Sequence, residues 1–424
     1  MTSRAASQGL REHSLFLLYA ASLGWLMFAC YYYASAARMD PEFVQPLLLF
    51  GAVFVGLYVL LWFLLRRRLP QVEQVPLPDG GVRIMIAVLF ALFAGVVVMH
   101  LTTLGYLPMV EAHRSDNDYE IARIRQEGYY SLARWQRYAS DYAIKGVGPI
   151  LLVLAAQYRS RLLYPALAVG LFYTTSLFVK ANSVYLLLPL VFYFSFTRAW
   201  KKAALMALLI VVSVGINWTS SSPPVREDVA RLMEFVEGKG MRKPRDIPTA
   251  DSSLGDYPGA MVVASVRERL FIVPARVTAQ WYFQYEEPER REDGCGYRLV
   301  ARMLGCEYQH MPTKLYAIYH EDLVRERGLT GSLNSGSYIH DFANFGYVGV
   351  LAGAVLFAFL FTALRYLCRN SPAALCLSLM PVLSLIEMPL STVLNSGGWL
   401  LVIFASLLLQ QGGRLRAAAG PQGA

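Results

Sequence analysis

Arginine carries a planar fork that donates two parallel, charge-assisted hydrogen bonds to phosphate oxygens, which suits it to gripping a pyrophosphate. This 424-residue chain sets Arg123, Arg125, Arg134 and Arg137 in one polar stretch, Arg267, Arg269 and Arg276 in a second, and Lys180 alone between two apolar runs. A lipid headgroup held at a membrane surface needs such donors at the water boundary. Each cation also has a plainer use. Arg123 stands at helical spacing from Glu120 and Glu127, Arg276 suits a solvated face, and Lys180 suits a lysine that snorkels to the interface. At least two of the arginines are expected to bind an anion.

Carboxylates and histidines supply candidates for moving a proton. Glu387, in LSLIEMPLSTVL, lies inside an apolar run, where a carboxylate costs several kcal/mol unless paired and is by default a functional group. It reads either as a base or as the partner of an interfacial cation. His340 and Asp341 precede FANFGYVGVLAG and can supply a base or cap the helix that follows. Asp116 and Asp118, in SDNDYE, form an Asp-x-Asp pair of a kind that binds divalent cations. Two acids at that spacing recur by chance, and no metal is assigned to them. His310 and His320 read as surface residues. Cys295 and Cys306 bound the run CGYRLVARMLGC, and a disulfide between them is expected if that loop faces an oxidising compartment.

The elements that must position these groups are membrane helices. The chain is 55% hydrophobic and 16% charged, proportions that set it apart from soluble domains. Runs long enough to cross a bilayer fall at approximately 14–36, 45–65, 84–104, 143–157, 163–179, 182–197, 203–218, 338–364, 373–392 and 395–411. The expectation is an all-α polytopic membrane protein of about ten transmembrane helices. Residues 1–104 hold helices 1–3, 105–142 form a first outer loop, and 143–218 hold helices 4–7. Residues 219–337 form a large outer loop, and 338–424 hold helices 8–10 and a tail. The first run is too long and aromatic for a signal-peptide core and is read as a retained span. Segment 118–145 predicts an amphipathic helix or helix pair at the membrane surface, 225–239 and 259–285 have helical periodicity, and 243–258 and 288–297 read as connections.

Charge sets the orientation. One alternate set of connections, including Arg66, Arg67, Arg68, Arg198, Lys201 and Lys202, holds 15 Lys and Arg against Glu12, Glu73 and Asp79. The positive-inside rule therefore places that set, and both termini, in the cytoplasm. The formal net charge of +9 is then topogenic and not a polyanion-binding signal, so no nucleic acid is expected.

Three stretches resemble a known family, the O-antigen polymerases (Wzy family) of lipopolysaccharide assembly. They are ERLFIVPARVTAQW (268–281), NSGSYIHDFANFGYVGVLAG (334–353) with the Gly346 and Gly349 pair, and LIEMPLSTVLNSG (385–397) with Glu387. The span pattern with two arginine-bearing loops extends the likeness over most of the chain. The resemblance implies a GT-C-type glycosyltransferase of the bacterial inner membrane, working at the periplasmic face without metal or cofactor. Such an enzyme joins oligosaccharide repeat units carried on undecaprenyl pyrophosphate, in the lipid bilayer and alongside a polysaccharide chain-length regulator. Carried over by position, Arg269 and one of Arg123 or Arg125 hold the donor pyrophosphate, with Lys180 beside them and Arg267 completing the cationic set. Glu387, Asp341 and His340 are the candidate bases. The O-antigen ligases share the layout and carrier and are the alternative. A flippase instead predicts basic residues inside the spans and short outer loops.

Overall fold

The computed structural model describes residues 12–65, 79–115, 118–219, 267–329, 331–368 and 371–407. Every regular element among them is helical. Six helices are long and apolar enough to cross a membrane: Ser14–Ala36, Pro41–Leu65, Gly80–Leu104, Arg134–Gln157, Trp200–Asn217 and Ser337–Cys368. The architecture is that of a helical membrane protein. Its outer surface agrees, because Val98, Val211 and Val348, on three different helices, are 61%, 65% and 75% exposed and together demand an apolar surrounding.

We number the helices in chain order. The first group is α1 (Ser14–Ala36), α2 (Gln45–Leu65), α3 (Asp79–Leu104), α4 (Pro108–Arg114), α5 (Asp118–Tyr130) and α6 (Arg134–Tyr142). A π-turn (Ala143–Val147) leads to α7 (Gly148–Gln157), then α8 (Leu163–Ser176), α9 (Lys180–Phe196) and α10 (Trp200–Thr219). A second π-turn (Glu268–Ile272) opens α11 (Val273–Tyr285), followed by α12 (Arg298–Leu304), α13 (Met311–Tyr319) and α14 (Glu321–Arg327). The last are α15 (Ser337–Cys368), α16 (Pro372–Ser384), α17 (Leu390–Leu394) and a helical stretch at 399–407.

Several bounds differ from the sequence expectation. The amphipathic segment is a helix pair, α5 and α6, and α6 runs through the π-turn into α7 as one continuous rod. That span therefore begins at Arg134, inside the stretch assigned to the first loop. Helices α8, α9 and α16 are shorter than a bilayer crossing needs. Helix α16 stops at Ser384, so Glu387 lies in the connection after it and not within a helix. The amphipathic segment expected at 225–239, the connection at 243–258 and Asp116 lie outside the described residues.

Local chemistry explains the tight reversals. Arg38, Arg159, Phe178 and Arg198 follow α1, α7, α8 and α9 with φ of 50–59°. After three of these helices the next residue bonds back to the helix, as in Met39 N to Ala34 O at 2.9 Å, Ser160 N to Ala155 O at 2.9 Å and Ala199 N to Phe194 O at 2.8 Å. These are Schellman closures, and an arginine there also faces the negative end of the helix dipole.

The helices form two groups. Helix α2 packs along α15, and α1 against α11; in the other group α9 packs on α10 and α7, and α3 on α7. Helix α16 touches α1 on one side and α9 and α7 on the other. The core between α1 and α15 is aromatic, with Tyr19 at 5.4 Å and 5.2 Å from Phe357 and Phe361. Helix α15 is two limbs joined at Gly346 (φ 62°, ψ −150°), where only glycine is relaxed. The limbs fold onto each other, because a Cβ at Gly349 or Gly353 would collide with Asp341.

The 267–329 region is tied down by packing and by a covalent bond. Trp281 is fully buried and its Nε1 donates to Leu333 O at 2.8 Å. Cys295 and Cys306 form a disulfide with Cα atoms 6.0 Å apart, closing α12 and the left-handed Gly305 that ends it. The double variant Cys295→Ser/Cys306→Ser is expected to lose about 3 kcal/mol of stability, the scale for closing so short a loop. A lower thermal midpoint for the purified variant, reproduced by reductant on the wild type, checks this.

Candidate functional site

The second π-turn carries Arg269 into the bundle surface. Phe271 inserts among Trp25, Phe28 and Tyr32, with ring centroids 4.3, 6.1 and 6.0 Å away. Trp25 Nε1 donates to Leu270 O at 3.3 Å. At a rise of 1.5 Å per residue, Trp25 lies roughly 16 Å along α1 from its end at Ala36. The turn therefore dips well below the loop-bearing end of the bundle, although the sequence places 268–281 in an outer loop. Arg267 is used locally, its Nη2 donating to Tyr32 Oη at 2.6 Å with its guanidinium 5.7 Å from the ring centre.

Arg125 comes from α5, which is docked from below by a buried histidine. Gly128 O can only accept, so His100 Nε2 carries the proton and donates to it at 3.1 Å, while Nδ1 lies 2.6 Å from Tyr173 Oη and 2.9 Å from Ser140 Oγ. Arg125 and Arg123 sit two positions apart, about 200° around the helix, and have different fates. Arg123 is exposed and pairs with Glu120 and Glu127 at 3.8 Å and 3.5 Å. Arg125 is also solvent-exposed but is within electrostatic reach of Arg269, and desolvation by the atoms crowding it, followed by that neighbour, lowers its pKa.

Lys180 opens α9 two residues after the left-handed Phe178, and it interacts electrostatically with both Arg125 and Arg269. Glu387 completes the group from the connection after α16. Loop residue Gly336 presses on that connection so closely that a Cβ would lie 2.6 Å from Leu385 O and 2.8 Å from Ile386 O, and Leu390 N donates to Ser337 Oγ at 2.8 Å. Glu387 is open to solvent yet walled by surrounding atoms. Desolvation raises its carboxyl pKa above the ordinary range, and Arg269 opposes that rise.

No family model, curated protein or solved structure matches the chain.

Four sequence candidates thus converge: Arg125, Lys180 and Arg269, from three separate elements, with Glu387. The named residues are three cations and one carboxylate. The other candidates sit elsewhere. His340 is 4% exposed, with its ring 5.6 Å from Trp281 and 4.6 Å from Tyr297, and Asn344 Nδ2 donates to its carbonyl at 2.8 Å. Asp341 accepts from Tyr297 Oη at the fold-back of α15. Both serve the packing of the 281–297 region on α15. Among the described residues no three His, Cys, Asp or Glu side chains gather as a metal site would need.

One charged pair near the site is not anticipated by the sequence reading, which finds only Glu387 within a span. Lys145, in the first π-turn, lies 2.7 Å from Asp141 Oδ1, and the two side chains are 17% and 14% exposed. Their i, i+4 spacing is the signal that marks them.

Proposed function

We propose that the protein is an O-antigen polymerase of the bacterial inner membrane, joining undecaprenyl-pyrophosphate-linked repeat units at the periplasmic face. One observation carries this reading: Arg125, Lys180 and Arg269, from distant parts of the chain, lie within electrostatic reach of one another, and Arg269 is in turn within reach of Glu387. Ten crossings are included, with the short helices α8, α9 and α16 and the stretch at 399–407 counted as spans and both termini in the cytoplasm, as the charge bias of the connections requires.

Arg125, Lys180 and Arg269 hold the pyrophosphate of the donor, on whose carrier the growing chain is built. Glu387 accepts the proton of the hydroxyl on the non-reducing-end sugar of an incoming unit. That oxygen attacks the donor's anomeric carbon, a glycosidic bond forms, and the bond from carbon to phosphate oxygen breaks. Undecaprenyl pyrophosphate leaves with the electron pair, and the cations absorb its developing charge. The reaction is a glycosyl transfer between two lipid-linked glycans, and a chain-length regulator in the same membrane is the expected protein partner.

Deleting the gene tests the reading through lipopolysaccharide on a gel. Core bearing a single repeat unit is the expected product. Bare core would instead assign a ligase or flippase, and a normal ladder would exclude all three.

A further inference from the structure

Helix α5 carries Arg123 and Arg125 on nearly opposite sides, and a rotation of about 200° about its axis would exchange them. Its apolar packing resists such a rotation only weakly. The helix buries Ile121 and Ile124, and Ile121 joins Ala112 and Phe178 in a small cluster apart from the main core. Two side chains at i, i+3 make a narrow stripe, well short of the broad apolar face that holds a core helix in one orientation.

Polar ties at two successive residues supply what the stripe lacks. Gly128 O accepts from His100 Nε2 at 3.1 Å, and a Cβ on Gly128 would lie only 3.2 Å from Pro108 Cγ. Tyr129 Oη donates to Asp141 Oδ2 at 2.5 Å. Residues 128 and 129 project about 100° apart around the helix. One tie alone would leave α5 free to pivot about it, whereas two at that angle fix its rotation.

We propose that Asp141, acting through Tyr129, is a positioning residue that sets the rotation of α5 and so places Arg125, and not Arg123, beside Lys180 and Arg269. The inference rests on the polymerase reading above, because it assigns a support to one cation of that site.

Register connects the tie to the arginine. Tyr129 follows Arg125 by four residues, so the two share a face of α5, and a helical side chain leans over the turn before it. Holding the Tyr129 ring toward α6 therefore fixes the direction in which Arg125 leaves the helix.

Asp141 is built to hold. Its Oδ1 accepts from Lys145 Nζ at 2.7 Å, and the two side chains are 14% and 17% exposed. Burying an aspartate is costly even when it is paired, and what the pairing secures is an ionised acceptor whose bond to a hydroxyl is short and strong. Lys145 itself sits in the first π-turn, a rare distortion that concentrates at functional sites. Because α6 runs on through that turn into α7, Asp141 is fixed to a membrane span. A group mounted on a rigid span positions its partner more sharply than one on a loop.

Tyr129→Phe tests this without altering charge, since it removes one hydroxyl and leaves the Lys145–Asp141 pair intact. In nanodiscs the full-length variant should bind undecaprenyl pyrophosphate about fivefold more weakly than wild type, within the roughly tenfold loss expected of Arg125→Ala. In an Arg125→Ala background the same change should add less than about twofold, because no guanidinium remains to be misplaced. A role in stability alone would give equal losses in both backgrounds, or a lower thermal midpoint with unchanged affinity. Either result overturns the proposal.

Asp141→Leu/Lys145→Met removes both charges together, so neither is left stranded. It should reproduce the loss seen in Tyr129→Phe, and wild-type affinity in this double variant would also overturn the proposal. Wild-type affinity in Arg125→Ala would instead remove Arg125 from the pyrophosphate site, and with it the reading on which the positioning role rests.

Discussion

Arg269→Ala removes one guanidinium from the cluster and is expected to weaken binding of undecaprenyl pyrophosphate about 10- to 100-fold, the value of one or two charge-assisted hydrogen bonds. Polymer should disappear from the lipopolysaccharide ladder while the protein remains folded, because Arg269 is exposed and the π-turn beneath it is anchored by Phe271 and Trp25. A second effect follows from the carboxylate. Burial raises the pKa of Glu387 and Arg269 opposes it, so without Arg269 the rise is unopposed. The acid limb of the variant's residual activity should therefore move to higher pH. Arg269→Lys should return that limb toward its original position, since the charge is restored, yet leave affinity impaired because the bidentate fork is missing. Arg123→Ala is the control and should bind within about twofold of wild type, because that guanidinium is committed to exposed local pairs of small value. A full ladder from Arg269→Ala would remove the central cation from the proposal.

Glu387→Gln should separate chemistry from binding. Loss of a general base costs about 10²- to 10⁴-fold in turnover, so polymerisation in reconstituted membranes should fall by that amount. Affinity for the pyrophosphate carrier should hold or improve, because the substitution removes the one negative charge facing a negative ligand. A purely structural role as partner to Arg269 makes the opposite forecast, with weaker carrier binding in the variant. In the wild type the base must be deprotonated, so activity falls as pH drops through a pKa that burial has raised above the ordinary carboxylate range. That limb should be missing from Glu387→Gln. Carrier affinity measured beside turnover, across pH, checks both statements.

The sequence made the type of molecule legible because transfer energetics act locally. Runs such as 14–36 and 45–65 must be helices in a bilayer whatever they pack against, since no other conformation satisfies their backbone there. Helix bounds were less legible at the loop-bearing end. α6 is polar at its start and reads as surface, yet it continues into the span through a π-turn whose Lys145 finds Asp141 one turn earlier. α16 reads as part of an apolar run over 373–392, but Pro389 and the pressure of Gly336 on Leu385 and Ile386 accompany its end at Ser384. Glu387 is accordingly a loop carboxylate and not a charge within a helix.

Candidate site residues divide along the same line. Composition and spacing alone determined a helical membrane architecture, an excess of arginine in the polar loops, one carboxylate in an apolar run and a closely spaced cysteine pair. Tertiary structure alone decided between Arg123 and Arg125, which are equivalent in sequence and differ by a half-turn of helix. It gave Arg267 to Tyr32 and left Arg269 facing Arg125 and Lys180, and it placed His340 between Trp281 and Tyr297 in the core. Hydropathy and periodicity report what one segment prefers against solvent or lipid. Which face of α5 brings its arginine within reach of Lys180 and Arg269 is set by side chains far apart in the chain, and that information exists only once the helices have packed.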